Sequence, residues 1–240
     1  MTQASQAPKS AIKLYQLVLA NARSMSPFVW RVNYALAHKS LPVETVSLGF
    51  TEIASVCGGR FKTVPIIEDG ATAVGDSWDI VDYLERTYPS RPLFATPGEY
   101  ASARFFDAWF TTEVLRRMFG TCALNIHDSA RPEDRAYFRS SREARLKTTL
   151  EAFVAERQAR LPQLREALSP LRQHLARYPF IGGEAPNYAD YIALGAFLWV
   201  ASVCDVPLLA ADDSLAPWLD RGFDLYGGIG RDARMKALMG

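Results

Sequence analysis

Cysteine is scarce in this chain. Cys57, Cys122 and Cys204 are its three, far apart in 240 residues and odd in number. They form neither a C-x-x-C pair nor a zinc-ligand spacing, which argues against a disulfide framework and for a reduced, cytoplasmic setting. Histidine is equally rare, and His38 and His174 stand without partner ligands, so no metal is expected. Neither sign of charge prevails: 27 Lys and Arg against 26 Asp and Glu leave a net charge of +1. Such a balance creates no field that would concentrate nucleic acid or an anionic membrane surface, and neither is an expected partner. Long apolar runs are missing too, since none approaches the ~18 residues that a bilayer span requires. The first residues are Ser, Gln, Ala and Thr with no signal-peptide core, so residues 1–11 are expected to form a loose N-terminus of a soluble chain.

What is present is ample apolar material, 49% of residues, in a chain long enough for one large domain or two small ones. Ile12 to Leu19 reads as a largely buried strand. Ser26-Pro27 then marks a helix start, because Ser accepts a bond from an orphan helix N–H and Pro suits the first helical position. Val29, Val32, Ala35 and Leu36 give that helix one apolar face up to about Lys39. Leu41 to Leu48 resumes a strand period and completes a βαβ unit. A short helical turn from Thr51 to Val56 ends at Gly58-Gly59. Thr63 to Gly70 is a strand entered through Pro65, which cannot donate a ladder bond; Asp69-Gly70 is a hairpin turn and Ala71 to Val74 the returning strand. Gly75-Asp76-Ser77 opens a helix with Ile80, Val81, Tyr83 and Leu84 on one stripe.

Residues 12–88 are thus expected to form an α/β domain, and the proline-broken stretch 89–98 a linker. Beyond it the strand signals fade, and residues 99–240 read as all-helical. Phe105, Phe106, Trp109, Phe110, Val114, Leu115, Met118 and Phe119 fall at helical spacing, as do Leu161, Leu164, Leu168, Leu171 and Leu175. Tyr191 to Val203 suits a helix buried in a bundle, entered at Asn187 with Asp190 placed to reach back to the cap.

A βαβ-ββα unit with a cis-Pro candidate, joined by a Pro-rich linker to a helical half, resembles the cytosolic glutathione transferases over nearly the whole chain. The motifs are the hydroxyl residue at the first helix N-terminus, Val64-Pro65, Asp76-Ser77, and Asn187-Tyr188-Ala189-Asp190 preceded by Phe180-Ile181-Gly182-Gly183. Ser26 to Arg31, Ala35 to Lys39, Gly49-Phe50-Thr51 and Trp218 to Tyr226 further resemble the lignin-degrading bacterial β-aryl etherases and the fungal etherase-like class. The resemblance implies a thioredoxin-like N-terminal domain with a mixed four-stranded sheet, an all-α C-terminal bundle, a homodimer, and glutathione as co-substrate beside a hydrophobic aromatic small molecule.

It also assigns roles. Val64, turned by Pro65, would hold glutathione's cysteine through its backbone. Asp76 would take the γ-glutamyl ammonium and Ser77 the carboxylate, at a helix N-terminus that favours anions. The glycine carboxylate calls for a cation from the Gly58 to Lys62 loop or from His38-Lys39, with Arg60 favoured for its bidentate fork. Ser26, with Ser24 nearby, would donate to the thiolate while capping the helix. Lowering a thiol pKa from ~8.5 to ~6.5 raises its thiolate fraction at neutral pH roughly 25-fold. The accompanying loss of nucleophilicity, roughly 8-fold, leaves a net gain of about 3-fold. Most of the rate must therefore come from placing the electrophile against the sulfur. Phe28, Trp109, Phe110, Phe119 and Trp218 are the expected walls of that second site, and His127-Asp128 a group that could polarise a leaving atom. Displacement of a phenolate from an aromatic ether is the expected reaction. General conjugation to hydrophobic electrophiles and non-catalytic binding of glutathione or hydrophobic ligands stay open as alternatives.

Overall fold

The computed structural model describes residues 11–231, so all but Ala11 of the segment expected to be loose lies outside the described residues, as does the chain beyond Arg231. The N-terminal half runs β1 (Ile12–Leu17), α1 (Pro27–His38), β2 (Val43–Leu48), β3 (Ile66–Asp69), β4 (Thr72–Gly75) and α2 (Ser77–Thr87). Its four strands lie in the order β2-β1-β3-β4. β1 pairs parallel with β2 and antiparallel with β3, and β3 and β4 form the hairpin expected around Asp69-Gly70. This is the mixed sheet that a βαβ unit followed by ββα dictates.

β1 is shorter than its apolar run because Val18 leaves the ladder for an isolated bridge with Ser24, and Leu19 closes a turn by donating to the Arg23 carbonyl. The expected turn after β2 is two single 3-10 turns, Ile53–Ser55 and Cys57–Gly59. Asp76 rather than Ser77 caps α2: its Oδ1 accepts from the Trp78 N–H at 2.8 Å, and Ser77 is the first helical residue.

The second half is helical: α3 (Pro97–Phe110), a π-helical segment (Thr111–Leu115), α4 (Arg116–Ser129), α5 (Pro132–Leu146), α6 (Leu150–Val154), α7 (Arg157–Ala167), α8 (Ser169–Leu175), α9 (Tyr188–Val203) and α10 (Ala216–Gly228). α9 is buried on every side, which is why its sequence carries no amphipathic stripe. Asn187 and Asp190 form the expected capping box. Asp190 also accepts from the Ile181 and Gly182 N–H groups and from Trp218 Nε1, so the whole Phe180 to Asn187 turn is fastened to one carboxylate.

Two contacts at α1 help to fix the halves against each other. A Cβ at Gly195 would stand 2.6 Å from the Pro27 carbonyl oxygen and 3.1 Å from the Arg31 nitrogen, so α9 approaches the N-terminus of α1 as only glycine permits. Arg31, with 4% of its side chain exposed, pairs with Asp107 of α3 at 2.9 Å, and the same carboxylate accepts from Trp78 Nε1 of α2 at 2.7 Å. Among the described residues no helix is long and apolar enough to cross a membrane.

Candidate functional site

The first turn of α1 holds its cap by a local rule. Ser26 is extended, with φ −114° and ψ 122°, and its Oγ accepts from the Val29 N–H at 3.3 Å. Acceptance uses an oxygen lone pair and leaves the hydroxyl proton to be donated. Beside it, the Val64-Pro65 peptide is cis, and Val64 precedes the first ladder residue of β3, so its N–H and C=O are not spent on the sheet. Asp76 adopts φ +73°, a conformation rare for a side-chain-bearing residue, which presents the N-terminus of α2 to the same place.

These residues line one wall of a cavity of about 740 Å³. Ser26, Phe28, Val64, Pro65, Asp76 and Ser77 all belong to it, together with Met25, Lys62 and Phe50. Phe50 is carried there by the loop after β2. Thr51 donates its N–H and hydroxyl to buried Asp134, both at 3.1 Å, and a Cβ at Gly49 would collide with that carboxylate. The opposite wall is helical: Thr111, Leu115, Arg116 and Phe119, then Tyr137, Phe138, Arg142 and Arg145 of α5, with Phe153 and Trp199 behind. Phe119 stacks on Trp199 with ring centroids 6.5 Å apart.

Several expected site residues stand elsewhere. His38 is at the opposite end of α1 from Ser26, roughly 18 Å along the helix. Its Nδ1 meets the hydroxyls of Tyr191 at 2.7 Å and Tyr226 at 3.0 Å, and burial lowers its pKa. Lys39 is committed as well, its Nζ paired with Glu85 at 2.6 Å. Arg60 donates to the Ala73 carbonyl at 2.8 Å and lies over Phe61, which binds it to the edge of β4 instead of the cavity. Lys62, exposed and in the lining, is the cation that the loop does present. Ser24 is buried in its bridge with Val18 and is not part of the wall.

Of the expected aromatic wall, Phe28 and Phe119 line the cavity, whereas Phe110 and Trp218 are core residues, 1% and 0% exposed. Trp109 faces a separate outer concavity with Glu113 and Pro162. The reason is helical phase. Phe110, Val114 and Met118 recur every four residues on the core side, and Thr111, Leu115 and Phe119, one step on, face the cavity. The expected single stripe is thus two faces of one helix. His127 bonds Asp128 at 2.8 Å at the end of α4, outside the lining.

Cys57 donates to Glu68 at 3.3 Å, and burial with that neighbouring carboxylate pushes its thiol pKa up, which disfavours the thiolate there. Among the described residues no group of three His, Cys, Asp or Glu could hold a metal. α5 contributes residues that are not among the expected ones, and their signal in the sequence is Phe138, Arg142 and Arg145 at i, i+4 and i+7 on a mostly polar helix.

Comparison with known proteins agrees with this architecture. The glutathione S-transferase N-terminal domain matches residues 22–92 and the glutathione S-transferase C-terminal domain matches residues 101–207. The glutathione S-transferase-like protein ustS of Aspergillus flavus is 25% identical over 231 residues, 83% of this chain and 82% of its own. The glutathione S-transferase CsGST63524 of Ceriporiopsis subvermispora, solved in complex with glutathione, has a TM-score of 0.76 at 22% identity over 90% of this chain and 96% of that one. The glutathione transferase GSTFuA3 of Phanerochaete chrysosporium has a TM-score of 0.77 at 22% identity, covering 89% and 96%. Matched by both domains of one family across most of its length, the chain belongs to the glutathione S-transferase superfamily.

Proposed function

We propose that the chain is a glutathione transferase that binds glutathione on the Ser26, Val64, Asp76 wall and turns its thiolate on an aromatic electrophile seated against the helices. The supporting observation is the two-sidedness of one cavity, polar caps and an unspent backbone on one side, Phe119, Phe138 and Trp199 on the other. Val64 pairs with the cysteinyl backbone of the tripeptide, Asp76 with its ammonium and Ser77 with its α-carboxylate. Lys62 takes the glycine carboxylate, replacing Arg60 and His38 in that role. Ser26 donates to the sulfur, and the N-terminus of α1 favours the same negative charge. Glutathione bound to the Ceriporiopsis relative supports the choice of ligand.

For the electrophile, the reading is an ether of the β-aryl type. The thiolate sulfur forms a bond to the carbon bearing the aryloxy group, the carbon–oxygen bond breaks, and the electron pair leaves on a phenolate that takes its proton from water. A β-aryl ether ketone that releases a fluorescent phenol tests this, run with glutathione beside a general aryl halide. Phenol release with little halide conjugation is the expected result. Halide conjugation without phenol release would replace ether cleavage by general conjugation, and glutathione retention with neither reaction would make the protein a binder.

A further inference from the structure

The helical wall carries charge as well as aromatic rings. Arg116, Arg142 and Arg145 all line it, and none forms an ion pair among the described residues. Other arginines of this half are answered by carboxylates, Arg131 by Glu52 at 2.9 Å, Arg139 by Glu151 at 2.8 Å and Arg172 by Asp213 at 2.7 Å, or by backbone carbonyls, as Arg165 is by that of Leu208 at 2.9 Å. Arg142 is the most telling. It is half-buried, its guanidinium lies 4.8 Å from the ring centre of Phe138 and 5.6 Å from that of Phe50, and among the described residues that group donates to Ser141 Oγ, at 3.0 Å. Arg145 lies 5.8 Å from the centre of the Phe119 ring.

A guanidinium half-removed from water and flanked by a second cation is costly unless an anion answers it. Burial and the charge of Arg145 both lower the Arg142 pKa, as that cost requires. The C-terminal dipole of α5 favours Arg145 but says nothing for Arg142 or Arg116. Asp76 is the one carboxylate in the lining, and it stands on the opposite wall, where the proposed function spends it on glutathione.

We propose that the second substrate is an aromatic electrophile bearing a carboxylate, its ring held between Phe119 and Phe138 and its anion bound by Arg142, Arg145 and Arg116. Planar guanidinium groups match a carboxylate fork to fork and stack on aromatic faces, so rings and arginines form one receptor for an aromatic acid. This inference rests on glutathione occupying the facing wall.

The test is calorimetric binding of two conjugates, S-(4-carboxy-2-nitrophenyl)glutathione and its methyl ester, with glutathione itself as the reference ligand. The acid is expected to bind about tenfold or more tightly than the ester, the factor that about 1.4 kcal/mol supplies. The exposed pair R116Q/R145Q, which leaves the ring contacts of Arg142 in place, should remove most of that preference, and R142Q the rest. Glutathione affinity should stay within about twofold. Equal binding of acid and ester overturns the inference, as does a preference that survives all three substitutions or a parallel loss of glutathione affinity. Failure of glutathione and both conjugates to bind overturns the glutathione reading itself, a result distinct from the others.

Discussion

The two walls of the cavity are built differently. The N-terminal wall is made of backbone: a capped helix start at Ser26, a cis peptide at Val64-Pro65 and a positive φ at Asp76. The helical wall is made of side chains from α4, α5, α6, α9 and the π-helical segment, each brought in by tertiary packing. A backbone site recognises a fixed ligand and tolerates little change, while a side-chain site can be re-shaped by single substitutions. The first suits an invariant co-substrate and the second a variable electrophile.

Separating the walls should have the largest effect. Asp107→Ala leaves Arg31 buried without its partner and frees Trp78 Nε1, costing about 3–5 kcal/mol and lowering Tm by roughly 10 °C in a thermal melt. Gly195→Ala drives a methyl group into the Pro27 carbonyl, and about 1–3 kcal/mol is expected to be lost. Because the clash falls on the turn that carries Ser26, kcat should fall in that variant even at temperatures where it is fully folded.

Within the N-terminal wall, Ser26→Ala should reduce kcat roughly tenfold, about threefold from the net loss of thiolate reactivity, fraction and nucleophilicity taken together, and the remainder from a loosened sulfur. Glutathione Kd should change much less, and the missing cap should cost about 1 kcal/mol in urea unfolding. On the other wall, Phe119→Ala should raise KM for an aromatic electrophile about three- to tenfold with KM for glutathione unmoved. Were both constants to rise together, the walls would not be separate sites.

The smallest effect concerns His38, which belongs to neither wall. Its folded pKa is lowered, so the unfolded chain binds more protons and stability falls as pH drops below about 6.5. In His38→Gln the decline of Tm between neutral and mildly acid pH should be shallower.

This division also sets what was legible in the sequence. Ser26-Pro27, Val64-Pro65 and Asp76-Ser77 are contiguous pairs whose local chemistry dictates a conformation, so the order of elements and the N-terminal wall follow from neighbours in the chain. The cation was harder. Arg60 and Lys62 sit in one loop, and only the bond from Arg60 to the Ala73 carbonyl shows which is occupied. The helical wall needed phase and packing. Phe110 and Phe119 look alike in a pattern of aromatic residues, yet one fills the core and the other the cavity. Trp218 was drawn inward by Asp190, a contact between residues 28 apart in sequence. The arginines of α5 have no distinguishing mark in the sequence, because most surface arginines are merely solvated.

The most direct test is the ionisation of bound glutathione, followed through the ultraviolet absorbance of its thiolate across pH. With the unaltered chain, the thiol should titrate clearly below the ~8.5 of a free thiol, and Ser26→Ala should move it back toward that value. A bound thiol that titrates like free glutathione, or identically in both proteins, would contradict the placement of the sulfur at Ser26.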